Sequence, residues 1–376
     1  MPGLTDGPSQ RTVILDNGVL TLSVAQADWP LDRLCGFAAR RNPKRGFLIV
    51  SKVLGRHVPA RPSEMRAALR DLAAKVPGEL PEPILVVGLA ETAVGLGQGL
   101  FEELRRGGMD GGFLHSTRQI VDHPLLCRFE EPHSHASAHL LYRPTPETID
   151  LAAIRSLLIV DDEVSTGTTL RNLAIALAPG LPRCERIVVA TFTDWSSSTS
   201  WLEGMPHPAR CVSLLRGRLD WTPTAAPAAA TAAFDSAAGA LGSLPRPGPF
   251  GRVGTVGPAP SRLPVDPPLP PGSALRVVGT GEFTHPPFLL AERLEQAGHD
   301  VVVHATTRSP AHIGGAIRHA LAFEDNYGSG IGNFLYNADP AEARLSLICH
   351  ETPPGTLDPA LVAALGARTI YFGGNE

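Results

Sequence analysis

Short runs of consecutive apolar residues alternate along this chain with stretches whose apolar positions recur at helical spacing. "PILVVGL" (Pro83–Leu89) precedes a glycine-punctuated turn and "AVGLGQGLFEELRR". "SLLIVDDE" (Ser156–Glu163) precedes "TTLRNLAIALAP", and "RIVVATFTDW" (Arg186–Trp195) follows. A strand covered on both faces shows no polar alternation, so such runs, separated by amphipathic helices, predict a parallel sheet flanked by helices. The pattern returns after residue 272. "ALRVVGTG" reads as a strand, "PFLLAERLEQAG" as a helix with Gly298 just past its end, "DVVVHATT" as a strand and "PAHIGGAIRHALAF" as a further helix. "RLSLICH" and "RTIYFG" close the set. Both regions read as α/β, the second smaller than the first.

Residues 221–272 break the pattern. They hold twelve of the chain's 36 prolines, among alanine and glycine, and a segment so short of N–H donors cannot sustain a ladder. The expected plan is a first domain over 1–220, a linker over 221–272 and a second domain over 273–376. Phe250–Val256, less proline-dense, is the piece expected to dock on a neighbour. A length of 376 residues suits two cores.

The formal net charge of -4 gives no field for nucleic acid or anionic lipid, so neither is an expected partner. No apolar run approaches the roughly 18 residues of a membrane span, and Met1–Gln10 lacks the features of a signal peptide. The five cysteines are scattered without a CxxC pair, as free thiols in a reducing compartment are. The expectation is a soluble, cytoplasmic protein.

Chemistry concentrates in "LLIVDDEVSTGTT" (Leu157–Thr169). An apolar strand ends in two carboxylates, then a loop of small hydroxyl residues opens a helix. Ligands of open α/β sheets bind at this edge, where loop N–H groups and a helix N-terminus cradle anions. Ser165, Thr166, Thr168 and Thr169 add hydroxyl donors, and Gly167 permits close backbone approach. Asp161 and Asp162 repel phosphate but accept well from two vicinal hydroxyls. A diol beside a phosphate describes a ribose 5-phosphate.

The segment resembles the 5-phosphoribosyl-1-pyrophosphate (PRPP) motif of type I phosphoribosyltransferases. The resemblance implies that Asp161 and Asp162 hold the ribose hydroxyls and that Ser165–Thr169 hold the 5′-phosphate. Ser165 stands where 6-oxopurine salvage enzymes usually carry Asp, which turns the expectation toward orotate- and adenine-type loops. A pyrophosphate loop is then expected at Gly88, Leu89, Ala90, Glu91 and Thr92, with Glu91 an unusual neighbour for that anion. Arg118, in "GGFLHSTRQ", is the expected cation for pyrophosphate. His133, His135 and His139 fall in the interval of a mobile catalytic loop, where donor or acid roles stand beside plain solvated histidines. "RRNPKRGFLIVSKVLGRHVPARP" (Arg40–Pro62) resembles an N-terminal hood, with Lys52, Arg56 and His57 as candidates. Mg2+ is the implied cofactor, carried by PRPP, with Glu91, Asp161 and Asp162 as the carboxylates near it. PRPP and a small-molecule acceptor are the expected ligands, and a homodimer the expected assembly.

"TGEF", "TTRSP", "FEDNYGSGIGNFLYN" and "ICHET" in the second region, together with the PRPP motif, resemble the phosphoribosyltransferases fused to a TRSP domain of bacterial tellurite-resistance and stress gene clusters. In "TTRSP", Ser309 reads as a helix N-cap and Pro310 as its first residue, which puts Arg308 in an anion-friendly place. Thr307, Arg308, Ser309, Asp325 and Asn326 make a candidate second site. The alternative function is a PRPP- or nucleotide-sensing regulator without catalysis. A ligase or hydrolase has no GxxxxGK[ST] or GxSxG sequence to rest on.

Overall fold

The computed structural model describes residues 9–40, 45–130, 138–224, 241–244, 248, 250–257 and 269–373. Its main sheet has seven strands, in edge-to-edge order Ser9–Leu15, Gly18–Ala27, Ala209–Pro223, Arg186–Asp194, Ser156–Val164, Ile84–Gly88 and Gly111–His115. The last five run parallel, as the apolar runs predict. The first two form an antiparallel hairpin that joins Ala209–Pro223 antiparallel, so the sheet is mixed at one edge. Ile84–Gly88 is buried along its whole length, and each such Val, Leu or Ile stabilises the fold by about 1.5–3 kcal/mol. Helix Ala93–Arg106 lies very close to that strand: a Cβ on Gly97 would fall 2.9 Å from the Gly88 Cα.

Two smaller hairpins stand at the carboxyl end of the sheet. Cys35–Ala39 pairs with Phe47–Ser51, forming the hood. Leu125–Glu130 pairs with Ala138–Tyr142, forming an arm.

The second region carries a four-stranded parallel sheet in the order Asp300–Ala305, Ala274–Gly279, Leu345–His350, Arg368–Tyr371. Helices His285–Gln296 and Pro359–Ala364 complete its α/β character. The helix expected over 310–323 does not form. Ala320–Glu324 is instead a strand paired with Gly332–Tyr336. The preceding backbone bonds to the hood: His312 N–H donates to the Ala39 carbonyl (3.0 Å) and Ala316 N–H to that of Phe37 (2.8 Å). Gly315, at φ +58° and against the Phe37 carbonyl, makes that approach possible. Two adjacent glycines weaken a helix by about 1 kcal/mol each, and the hood edge offers the backbone other partners.

The two regions meet at further points. Ala60 and Val303 exchange backbone hydrogen bonds of 3.0 and 2.8 Å. Arg66 bonds Glu292 of the second region (2.6 Å) and Glu102 and Glu103 of the first.

The described part of 221–272 does more than connect. The last main-sheet strand runs to Pro223, and Gly242–Leu244 pairs with Gln119–Val121. Phe250 is buried, and Arg252 is only 1% exposed. The Arg252 guanidinium donates twice to Glu351 (2.7 Å each) and twice to Glu282 (3.0 and 3.2 Å).

Candidate active site

A cleft of about 200 Å3 opens at the carboxyl end of the main sheet. Strand Ser156–Val164 runs further than its apolar core, so Asp161, Asp162 and Glu163 still lie in the ladder, with Asp161 opposite Thr191 and Glu163 opposite Thr193. All three carboxylates line the cleft, followed by Ser165 to Thr169. Helix Thr168–Leu177 begins right after Gly167, whose φ of +70° is left-handed. A Cβ there would also fall 2.2 Å from the Trp201 ring, an underlying residue with no signal in the sequence. Gly167→Ala is expected to lower the thermal midpoint. It should also weaken ribose 5-phosphate binding about tenfold or more, because the left-handed conformation costs about 1–2 kcal/mol before any clash. Calorimetric titration checks this, and an unchanged affinity would rule out the loop as the phosphate cradle.

Asp162 Oδ1 accepts from Thr92 Oγ1 at 2.8 Å, and Asp162 N–H donates to Asp161 Oδ1 at 3.0 Å. Burial pushes the Asp162 carboxyl up, and the Thr92 bond partly offsets it. Glu163 is likewise pushed up by burial, against the pull of Arg45, 2.5 Å away. Leu89, Ala90, Glu91 and Thr92 face the same space. Gly88 ends the strand beneath them, where a Cβ would meet the Ala93 carbonyl at 2.5 Å. The Ala90–Glu91 peptide is cis.

Thus an acidic pair, a hydroxyl-rich loop at a helix start and a second strand-to-helix loop share one cleft. Comparison with known families agrees. The profile of the phosphoribosyl transferase family matches residues 34–218, and that of the TRSP domain lying C-terminal to it matches 269–365. The chain belongs to this two-part family of phosphoribosyltransferases. They are glycosyltransferases that move a pentosyl group. No curated protein matches it. Solved structures that resemble it include the adenine phosphoribosyltransferase of Rhodothermus marinus, with 17% identity over 50% of this chain and 96% of that one and a TM-score of 0.34. The Trypanosoma brucei enzyme, solved with AMP, pyrophosphate and ribose-5-phosphate, is 13% identical over 56% and 87%, with a TM-score of 0.35. The Giardia lamblia enzyme with 9-deazaadenine is 16% identical over 51% and 98%, with a TM-score of 0.35.

In this transferase Arg118 is buried in the cleft wall. Its guanidinium lies 3.2 Å from His139 Nε2, and His139 Nδ1 lies 3.0 Å from Ser116 Oγ. Arginine can only donate, so Nε2 accepts and Nδ1 carries the proton given to Ser116. The same Ser116 oxygen accepts from Ala90 N–H at 2.9 Å. A continuous hydrogen-bonded chain therefore ties the 88–92 loop to Arg118. His139 stacks on Phe129 with ring centroids 4.7 Å apart; it is an interior residue, not a solvated loop histidine. His133 and His135 lie outside the described residues.

The hood candidates separate. Lys52 turns away, donating to the Asp32 carbonyl at 2.8 Å, and does not line the cleft. Arg56 is buried beneath the loop, donating to the carbonyls of Thr306 (2.8 Å), Glu91 (2.9 Å) and Gly281 (3.0 Å). His57 does reach the cleft. Burial, then Arg56 and Arg40, push it down to about 3, so it is neutral at ordinary pH. Arg40, Arg45, Leu48 and Ile49 also line the cleft and were not singled out from sequence.

The second-domain candidates separate too. Thr307, Arg308 and Ser309 line the transferase cleft itself, so the separate second site expected from sequence is part of the first. No helix follows Ser309; its N–H is taken by Thr307 Oγ1 at 3.2 Å. Asp325 and Asn326 do not line the cleft. Asp325 closes its own turn on Ser329 N–H (3.0 Å), and Asn326 donates to Thr352 Oγ1 (2.9 Å).

Proposed function

We propose that the cleft binds PRPP and transfers its 5-phosphoribosyl group to a nitrogen acceptor with release of pyrophosphate. The observation that carries this is the meeting of Asp161 and Asp162, the Ser165–Thr169 loop and the Leu89–Thr92 loop with Arg118 in one cleft. Asp161 and Asp162 accept from the ribose hydroxyls, and the loop donates to the 5′-phosphate. The C1–O bond to pyrophosphate breaks as the acceptor nitrogen bonds to C1, and the nitrogen's proton passes to water. The ring passes through an oxocarbenium-like state, as in glycoside chemistry. Catalysis is then positional and electrostatic, with Arg118 facing the leaving charge. Leu48, Ile49 and His57, on the hood, supply the walls for the acceptor.

Mg2+ takes hard oxygen donors and keeps several waters. The carboxylates of Asp161 and Asp162, with PRPP's own oxygens, fit it, and when bound it neutralises pyrophosphate charge. Glu91 fits less well, because Thr307 Oγ1 donates to its carboxylate (2.6 Å) and Arg56 lies 3.6 Å away. Among the described residues no cluster of three His, Cys, Asp or Glu gathers as a metal site.

A bacterial tellurite-resistance or stress pathway is the setting proposed, supported by the family resemblance. A cytoplasmic location and a homodimer belong to the same reading; no described helix is long and apolar enough to cross a membrane. The test incubates the full chain with PRPP, Mg2+ and a panel of nitrogen heterocycles. Pyrophosphate release with a phosphoribosyl adduct by mass is expected. PRPP bound but never consumed would favour the sensor alternative, and absence of PRPP binding would overturn both.

A further inference from the structure

The second domain reaches the cleft at the 88–92 loop and Arg118. Thr307 Oγ1 donates to the Glu91 carboxylate at 2.6 Å. Glu282, also from the second domain, receives the backbone N–H of Arg118 at 2.6 Å and the hydroxyl of Thr117. Glu282 is itself fixed by Arg252 at 3.0 Å. Arg56, under the loop, bonds the peptides of Glu91, Gly281 and Thr306 together. These contacts fall on the 88–92 loop, the segment expected to hold pyrophosphate, and on Thr117 and Arg118, the second of which faces the leaving charge.

Arg308 lines the same cleft as Arg118 and Glu91. Burial pushes its guanidinium down; Glu91 counters this and Arg118 adds to it, so the three groups feel one another. Two guanidiniums held together in a recessed cleft form a site for a polyanion, since a bound phosphate relieves their repulsion and accepts forked hydrogen bonds.

Resting on the proposed function, we infer that the TRSP domain supplies half of the pyrophosphate pocket: Arg308 contacts the leaving group directly, while Thr307 and Glu282 are positioning residues for Glu91 and Arg118. The chain is then one enzyme with a site shared between its domains, and the second domain has no separate ligand to explain Thr307–Pro310. Glu91, unexpected beside an anion, is explained as the acceptor through which the second domain holds the loop.

The test uses the full chain and two probes, ribose 5-phosphate and inorganic pyrophosphate with Mg2+, titrated calorimetrically. Arg308→Gln should weaken pyrophosphate about 30-fold, the scale of a charge-assisted hydrogen-bond pair, and leave ribose 5-phosphate unchanged. Thr307→Val should weaken pyrophosphate about threefold to tenfold through the loop alone, again sparing ribose 5-phosphate. A general structural defect would lower both probes together, and that result in Arg308→Gln overturns the inference. So does pyrophosphate affinity equal to wild type in both variants. Failure of the wild-type chain to bind ribose 5-phosphate would instead sink the transferase reading itself.

Discussion

Replacing Asp161 and Asp162 by Asn and Ala is expected to weaken PRPP binding by about 10²–10⁴-fold while leaving the fold intact. Each hydrogen bond from a hydroxyl to an ionised acceptor contributes about 1.5–3 kcal/mol, and two are removed. Stability should move the other way. Burial raises the Asp162 carboxyl above its usual range. A carboxyl whose folded value exceeds its unfolded one costs stability once pH passes the unfolded value. The neutral variant therefore unfolds at the same temperature as wild type or higher. Calorimetry with PRPP and Mg2+, beside a thermal melt, reads both effects. Unchanged affinity would remove the acidic pair from the sugar site, and a collapsed melt would make it structural.

The second large effect is expected at Arg252. Arg252→Met leaves Glu282 and Glu351, both buried, without their shared cation. Breaking a buried ion pair on one side costs about 3–5 kcal/mol, which lowers the melting midpoint by roughly 10 °C for a chain of this size. The acid limb should change as well. Burial acts to raise the Glu282 carboxyl, but Arg252, together with His115, the Thr117 hydroxyl and the Arg118 N–H, outweighs it and holds the group down at about 2. Its folded value lies below the unfolded one, so the stability it adds is present above pH 4.5, the ordinary glutamate value, and is lost as pH falls toward 2. Wild type should lose stability through that window. The variant should start lower and lose less there. Parallel curves for the two would separate Arg252 from Glu282.

The sheet and the sugar-phosphate loop were legible because their signals are local. A parallel strand buried on both faces is a continuous apolar run, and Leu157–Thr169 places its carboxylates and hydroxyls within a single strand–turn–helix. The signal for the N-terminal hairpin is equally local: alternating apolar residues flank Asp16-Asn17-Gly18, in which Asp16 and Asn17 make the turn and Gly18 pairs with Leu15. Other features depend on distant partners. Helical periodicity over 310–323 was outweighed by Gly314, Gly315 and the free edge of a hairpin some 270 positions earlier. Proline and alanine around Arg252 hid a guanidinium whose partners, Glu282 and Glu351, come later in the chain. Nothing local sets Arg45 apart from the other basic residues of 40–62; its partner, Glu163, lies more than a hundred residues on. The joining of Thr307–Ser309 to the transferase cleft depends wholly on how the two regions dock, and no window of sequence contains that.

The backbone bonds between 312–316 and the hood bear on how the chain can be divided. Phe37 and Ala39 lend their carbonyls to Ala316 and His312, and Ala38, Val50 and Ile317 share one apolar cluster with Phe334 and Tyr336. A fragment ending near residue 224 would present that strand edge bare, beside an uncovered apolar patch. Exposed edges of this kind recruit other strands. An isolated N-terminal half is thus expected to self-associate, and its solubility to depend on expressing the two halves together.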